Sequence, residues 1–110
     1  MRIDQLKEQD IETFFKAVMS LENIDECYDF FDDLMTLKEM KIFLMRFNVA
    51  QMLLDGKTYQ EIEAETHAST AIISRVKRSC EEGNQSYQLL RERLVKQDRL
   101  IIEEARGFKH

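Results

Sequence analysis

From Leu37 to Leu54 the chain has hardly a polar face to offer, and this stretch constrains the fold more than any other. Thr36-Leu37-Lys38-Glu39 has the pattern of a capping box, in which a Thr hydroxyl and a Glu carboxylate satisfy two free amides at a helix start. Gly56 supplies the stop after Asp55. The helix predicted between them carries Leu37, Met40, Ile42, Phe43, Leu44, Met45, Phe47, Val49, Ala50, Met52, Leu53 and Leu54. A helix that is apolar all round must be buried all round. That requirement collides with size. A chain of 110 residues makes one domain, 1–110, and is too short for two ordinary ones. A lone domain of this length buries only roughly 65% of its unfolded surface. The other helices are too few to cover this one, so the pattern predicts a homodimer with the helix at its centre.

The remaining segments are also helical. There is no Pro and there are only three Gly, and the abundant Leu, Glu, Lys, Met, Ala and Gln favour helices. Ile3, Leu6, Ile11, Phe14, Phe15, Val18 and Met19 recur at three- and four-residue intervals and predict one helix over 3–19. After a short break, Asn23 and Glu26 form a second capping-box pattern. The helix that follows has Ile24, Cys27, Tyr28, Phe31 and Leu34 on one side and Asp25, Glu26, Asp29, Asp32 and Asp33 on the other. Thr58 and Glu61 open a short helix that ends near Thr66. Ser69 caps another that reaches about Cys80, and Gly83 then breaks the pattern. Tyr87, Leu90, Leu94, Ile101 and Ala105 fit a last helix over 86–105. The fold class is all-α, with about six helices and no linker or repeat.

Several classes of function are disfavoured. The N-terminus has no apolar core of a secretory signal, and no run approaches the roughly 18 apolar residues that a membrane span needs. Cys27 and Cys80 lack CxxC spacing and a nearby His pair, so no metal site is expected, and they read as reduced thiols of a cytoplasmic protein. His67 and His110 have no acid, Cys or Ser at motif spacing, and no Gly-rich phosphate loop is present. No catalytic residue and no cofactor are therefore assigned.

The segment Thr58 to Cys80 carries the functional signal, that of a helix-turn-helix. Ile62 faces inward from its first helix, Ile73 and Val76 from its second, and a turn of three or four residues joins them. Such a unit lays its first helix across a DNA backbone and its second in a major groove. At the start of the second helix Ser69, Thr70, Ala71 and Ser74 are small enough to approach base edges, offering hydroxyls and a methyl group. Arg75, Lys77 and Arg78 follow, and from Ser69 to Cys80 there is no acid, although the chain carries a net charge of −5. A concentrated basic footprint of this kind suits phosphate. Lys57, Thr58 and the N-terminal amides of both short helices add backbone contacts. The expected partner is double-stranded DNA.

The stretch LMTLKEMKIFLMRFNVAQMLLDGKTYQEIEAETHASTAIISRVKRS resembles the Trp repressor superfamily, and more closely its YerC/YecD-type branch in Gram-positive bacteria. The match spans about Ile11 to Tyr87. The resemblance implies an intertwined all-helical homodimer, whose two recognition helices meet successive major grooves ~34 Å apart. It also implies a corepressor pocket, to which Thr36, Arg46, Arg75 and Ser79 correspond, and so leaves room for a small-molecule effector of unspecified identity. Val76, however, stands where the repressor has a glycine that makes space for tryptophan, and overpacking a tight site costs ~1–3 kcal/mol. Two more positions depart from the pattern. Glu63 replaces a small residue expected to pack on the second helix, so that either it turns outward while Ala64 does the packing or it weakens DNA affinity through repulsion, and His67 replaces a turn glycine. The expected function is a sequence-specific transcriptional regulator, in the main a repressor, that does not respond to tryptophan. The alternative is a protein-interaction module that has kept the fold with weak or no DNA binding, a reading favoured by the acidic second helix, Glu63 and the net charge of −5.

Overall fold

Six α-helices follow one another in the computed structural model, which describes residues 2–107, with side-chain surroundings for residues 2–6 and 10–98. They are α1 (Ile11–Met19), α2 (Ile24–Leu34), α3 (Leu37–Leu54), α4 (Tyr59–Thr66), α5 (Thr70–Glu82) and α6 (Ser86–Gly107), preceded by a 3₁₀ helix, Arg2–Gln9. No strand occurs among the described residues. The all-α expectation therefore holds. Ile101 and Ala105, expected on the apolar side of the last helix, lie outside the described side chains, as does His110.

The chain forms two compact units, Met1–Met40 and Lys41–His110. In the first, the single helix expected over 3–19 is divided. Asp10 adopts a left-handed backbone, φ 56°, and its carboxylate accepts a 2.7 Å hydrogen bond from the Thr13 hydroxyl. Asp tolerates that conformation through such local bonds, whereas the apolar periodicity runs across the break unmarked. Asn23 caps α2 as expected by accepting the Glu26 amide, but the Glu26 carboxylate turns back to the Glu22 amide instead of that of Asn23. Phe14, Phe15, Phe30 and Phe31 stack edge-on or tilted, with centroids 5.2–6.3 Å apart. No residue of α1 or α2 is fully buried.

The second unit holds the core. Val49 and Ala50 of α3, Ile62 of α4, Ala68 of the following turn, and Ile73, Val76 and Cys80 of α5 make one buried cluster. Met45, Met52, Leu53, Tyr59, Ile72 and Tyr87 pack against it. Helix α3 ends as its glycine demands. Gly56 (φ 79°) donates to the Leu53 carbonyl and Lys57 to that of Met52, the paired bonds that close a helix C-terminus. Arg91 of α6 donates to the Gln51 carbonyl and pairs with Asp55, fastening the start of α6 to the end of α3. The first half of α3 is open. Leu37 is 72% exposed, Leu44 53% and Phe43 48%.

Candidate nucleic-acid interface

Helices α4 and α5 are joined by three residues, His67, Ala68 and Ser69, and a set of local hydrogen bonds fixes that turn. His67 takes the left-handed conformation expected of a turn glycine, φ 60° and ψ 16°, and donates its amide to the Glu63 carbonyl at 2.9 Å. The Thr66 hydroxyl donates to the Ile62 carbonyl and accepts from the Ala68 amide. The Ser69 hydroxyl accepts from the Ile72 amide and so caps α5. At the other end of α4 both halves of the Thr58–Glu61 capping box are formed. Its hydrogen bonds from the Thr58 amide and hydroxyl hold the Glu61 carboxyl below its ordinary value, and the nearby Lys57 adds to the effect. Ala68, buried beneath the turn, ties it to the core.

On α5 the helical repeat sorts the residues into faces. Ile73, Val76 and Cys80 are buried. Ala71, Arg75 and Arg78 form an exposed outward row with no acid among them. Thr70, Ser74 and Lys77, also exposed, form the flank beside α4, and each meets a side chain of that helix. Thr70 donates its hydroxyl hydrogen to the Glu63 carboxylate. The Ser74 and Tyr59 hydroxyls are 3.3 Å apart, and Lys77 Nζ lies 5.9 Å from the centre of the Tyr59 ring, within reach of a cation–π contact. Packing by Ala64, one of the two expectations at this junction, thus does not occur. Ala64 is exposed and Glu63 half-buried, because Glu63 gains a hydroxyl partner that Ala64 has no means to hold. Tyr59 and Glu63, four residues apart on α4, are the contacts that sequence patterns miss. Their partners lie fifteen and seven residues away across a turn, a distance no helical period encodes. Helix α5 also runs to Glu82, two residues beyond the expected end, and places Glu81 and Glu82 after the basic segment.

All nine residues expected to meet DNA are exposed. Lys57 sits just before α4 and lies 3.9 Å from Glu61, Thr58 caps α4, and the other seven belong to α5 and its cap. Of the four positions that correspond to the corepressor pocket, one lies in the first unit and three in the second. Thr36, in the first unit, exchanges hydrogen bonds with Glu39. In the second unit Arg46 is half-buried on α3, Arg75 is exposed, and the Ser79 hydroxyl donates to the Arg75 carbonyl of its own helix. Val76, 4% exposed, is packed in the core. A groove of about 580 Å³ runs between α3 and the end of α4, from Lys41 and Leu44 to Glu65 and Thr66, and none of the four lines it. Among the described residues no cluster of His, Cys, Asp and Glu could hold a metal ion, and no helix is long and apolar enough to cross a membrane.

Residues 9–95 match the family described as Trp repressor protein. The uncharacterized protein YerC of Bacillus subtilis (strain 168) is 46% identical over 94 residues, which cover 86% of this chain and 90% of its own length. The crystal structure of a candidate Trp repressor from Staphylococcus aureus superposes with a TM-score of 0.82 at 46% identity, over 86% of this chain and 94% of that one. A TrpR-like protein from Eubacterium eligens ATCC 27750 gives a TM-score of 0.79 at 47% identity, over 83% and 94%.

Proposed function

The chain belongs to the Trp repressor family, and from that premise we propose that it is a sequence-specific DNA-binding transcriptional regulator, a repressor acting as a homodimer through α4 and α5. The observation that carries this reading is the outward face of α5. Ala71, Arg75 and Arg78 stand exposed on a short helix whose buried side is locked into the core, in a chain with a net charge of −5. A rigidly seated helix with its cations turned outward suits phosphate contact and close approach to base edges. Lys77, Lys57 and the capped start of α4 supply further contacts to the backbone.

Tryptophan does not act as corepressor in this reading. Val76, packed in the core, stands where the family's tryptophan-binding repressor has a glycine, and the Ser79 hydroxyl donates to its own helix. The exposed acids of α2, with the Glu63 carboxylate of α4 bonded to Thr70 at the start of α5, favour the protein-interaction module as the second reading. Titration of the purified protein with genomic fragments at graded salt separates the two. A regulator prefers particular fragments and loses affinity steeply as salt rises, because phosphate contacts release counterions. Equal binding of every fragment and of random DNA would refute it. Arg75→Ala and Lys77→Ala then abolish cellular function under the first reading and leave it intact under the second.

A further inference from the structure

We infer that Glu63 determines which bases the start of α5 accepts, by making Thr70 a hydrogen-bond acceptor only; the inference rests on the DNA-binding reading above. A threonine hydroxyl carries one hydrogen and two lone pairs, whereas an ionised carboxylate only accepts. The hydrogen bond between Thr70 Oγ1 and Glu63 Oε1 therefore runs one way, and it consumes the only hydrogen that Thr70 has to give. What Thr70 presents to solvent is its lone pairs and its methyl group.

Its neighbours keep more freedom. The Ser74 hydroxyl is paired with that of Tyr59, and either oxygen can donate. Ser69 accepts from the Ile72 amide and retains its own hydrogen. The restriction belongs to Thr70 alone, and it arises from a residue on the other helix.

In the major groove adenine and cytosine present an amino group, whereas guanine and thymine present carbonyl acceptors, with N7 on guanine and a methyl group on thymine. An acceptor-only Thr70 pairs with the amino group of adenine or cytosine and has nothing to donate to guanine or thymine. The Glu63 carboxylate behind it is itself acceptor-only and reinforces that choice. Its charge also repels phosphate and so weakens binding to every sequence alike. Glu63 is thus a positioning residue that trades affinity for selectivity at one base of each half-site.

Enrichment from a random DNA pool tests this with the full-length wild type, Glu63→Gln and Thr70→Val, each first checked by thermal melting for an intact fold. The wild type is expected to enrich a motif with adenine or cytosine at one position per half-site. Glu63→Gln keeps the shape but removes the charge and lets Thr70 rotate. It should relax preference at that position alone, by on the order of tenfold, while binding random DNA more tightly. Thr70→Val should relax the same position, and the double variant should relax it no further. A purely structural Glu63 would instead lower the melting temperature and weaken all positions together, which overturns the inference. So does a motif that is unchanged in Glu63→Gln. A wild-type chain that enriches no motif overturns the DNA-binding reading, and the inference with it.

Discussion

His67 holds a left-handed backbone that glycine adopts without steric cost. A non-glycine residue there bears a penalty on the order of 1 kcal/mol, since its Cβ crowds the next carbonyl. His67→Gly is therefore expected to raise unfolding stability by only ~0.5 kcal/mol, because the larger conformational entropy it gives the unfolded chain offsets part of the relief. His67→Val should lower it by more, because a β-branched side chain tolerates this region least. Urea unfolding at fixed protein concentration measures both, and a destabilised His67→Gly would contradict the account. The strain at His67 was legible from the sequence, because a turn of known length fixes which residue must turn left-handed. The partner of Glu63 was not. A carboxylate looks the same in sequence whether it faces water or a hydroxyl seven residues away, and only the packing of α4 on α5 separates the two.

At the scale of the element, most helix boundaries can be read from the caps. Asn23, Thr36, Thr58 and Ser69 each accept the amide three residues on, as their spacing predicts. The break at Asp10 could not be read, because the apolar stripe continues through it and no Gly or Pro marks it. The caps also carry a pH dependence. Hydrogen bonds from Thr58 lower the folded-state pKa of Glu61, as those from Thr36 lower that of Glu39. A depressed carboxyl contributes stability that is fully present above its unfolded value, here about 4.5, and that is lost as pH falls through the folded value. Thr58→Ala is expected to cost about 1 kcal/mol at neutral pH through loss of the α4 cap. The deficit relative to wild type should shrink below the ordinary Glu range, where the wild type loses its own carboxylate contact. Parallel chemical denaturation at pH 7 and pH 3.5 checks this, and a deficit that grows in acid would refute it.

For the whole molecule, α3 poses the problem of apolar surface that one chain leaves uncovered. Within one chain its burial is complete at Val49 and Ala50 alone, while Leu37, Ile42, Phe43 and Leu44 remain exposed. Met19, Ile24 and Tyr28 of the first unit are 64–84% exposed as well. The sequence made that excess of apolar surface visible, since an all-apolar helix announces a need for cover, but it left the covering partner to be inferred. Exposed apolar area on this scale marks an interaction surface, and the proposed homodimer with α3 at its centre would bury it. Two consequences follow from mass action. The melting temperature should rise with protein concentration, because association stabilises only the folded chain. Replacing Phe43 and Leu44 by Glu should yield a monomer in sedimentation, with a lower, concentration-independent melt. Their side chains are about half exposed in the single chain, so the change costs the monomer little core packing, while a buried unpaired charge at an interface is strongly unfavourable. A monomeric wild type whose melt does not depend on concentration would remove the symmetric partner from α5. Two-fold operator recognition would go with it, since one α5 reads one half-site.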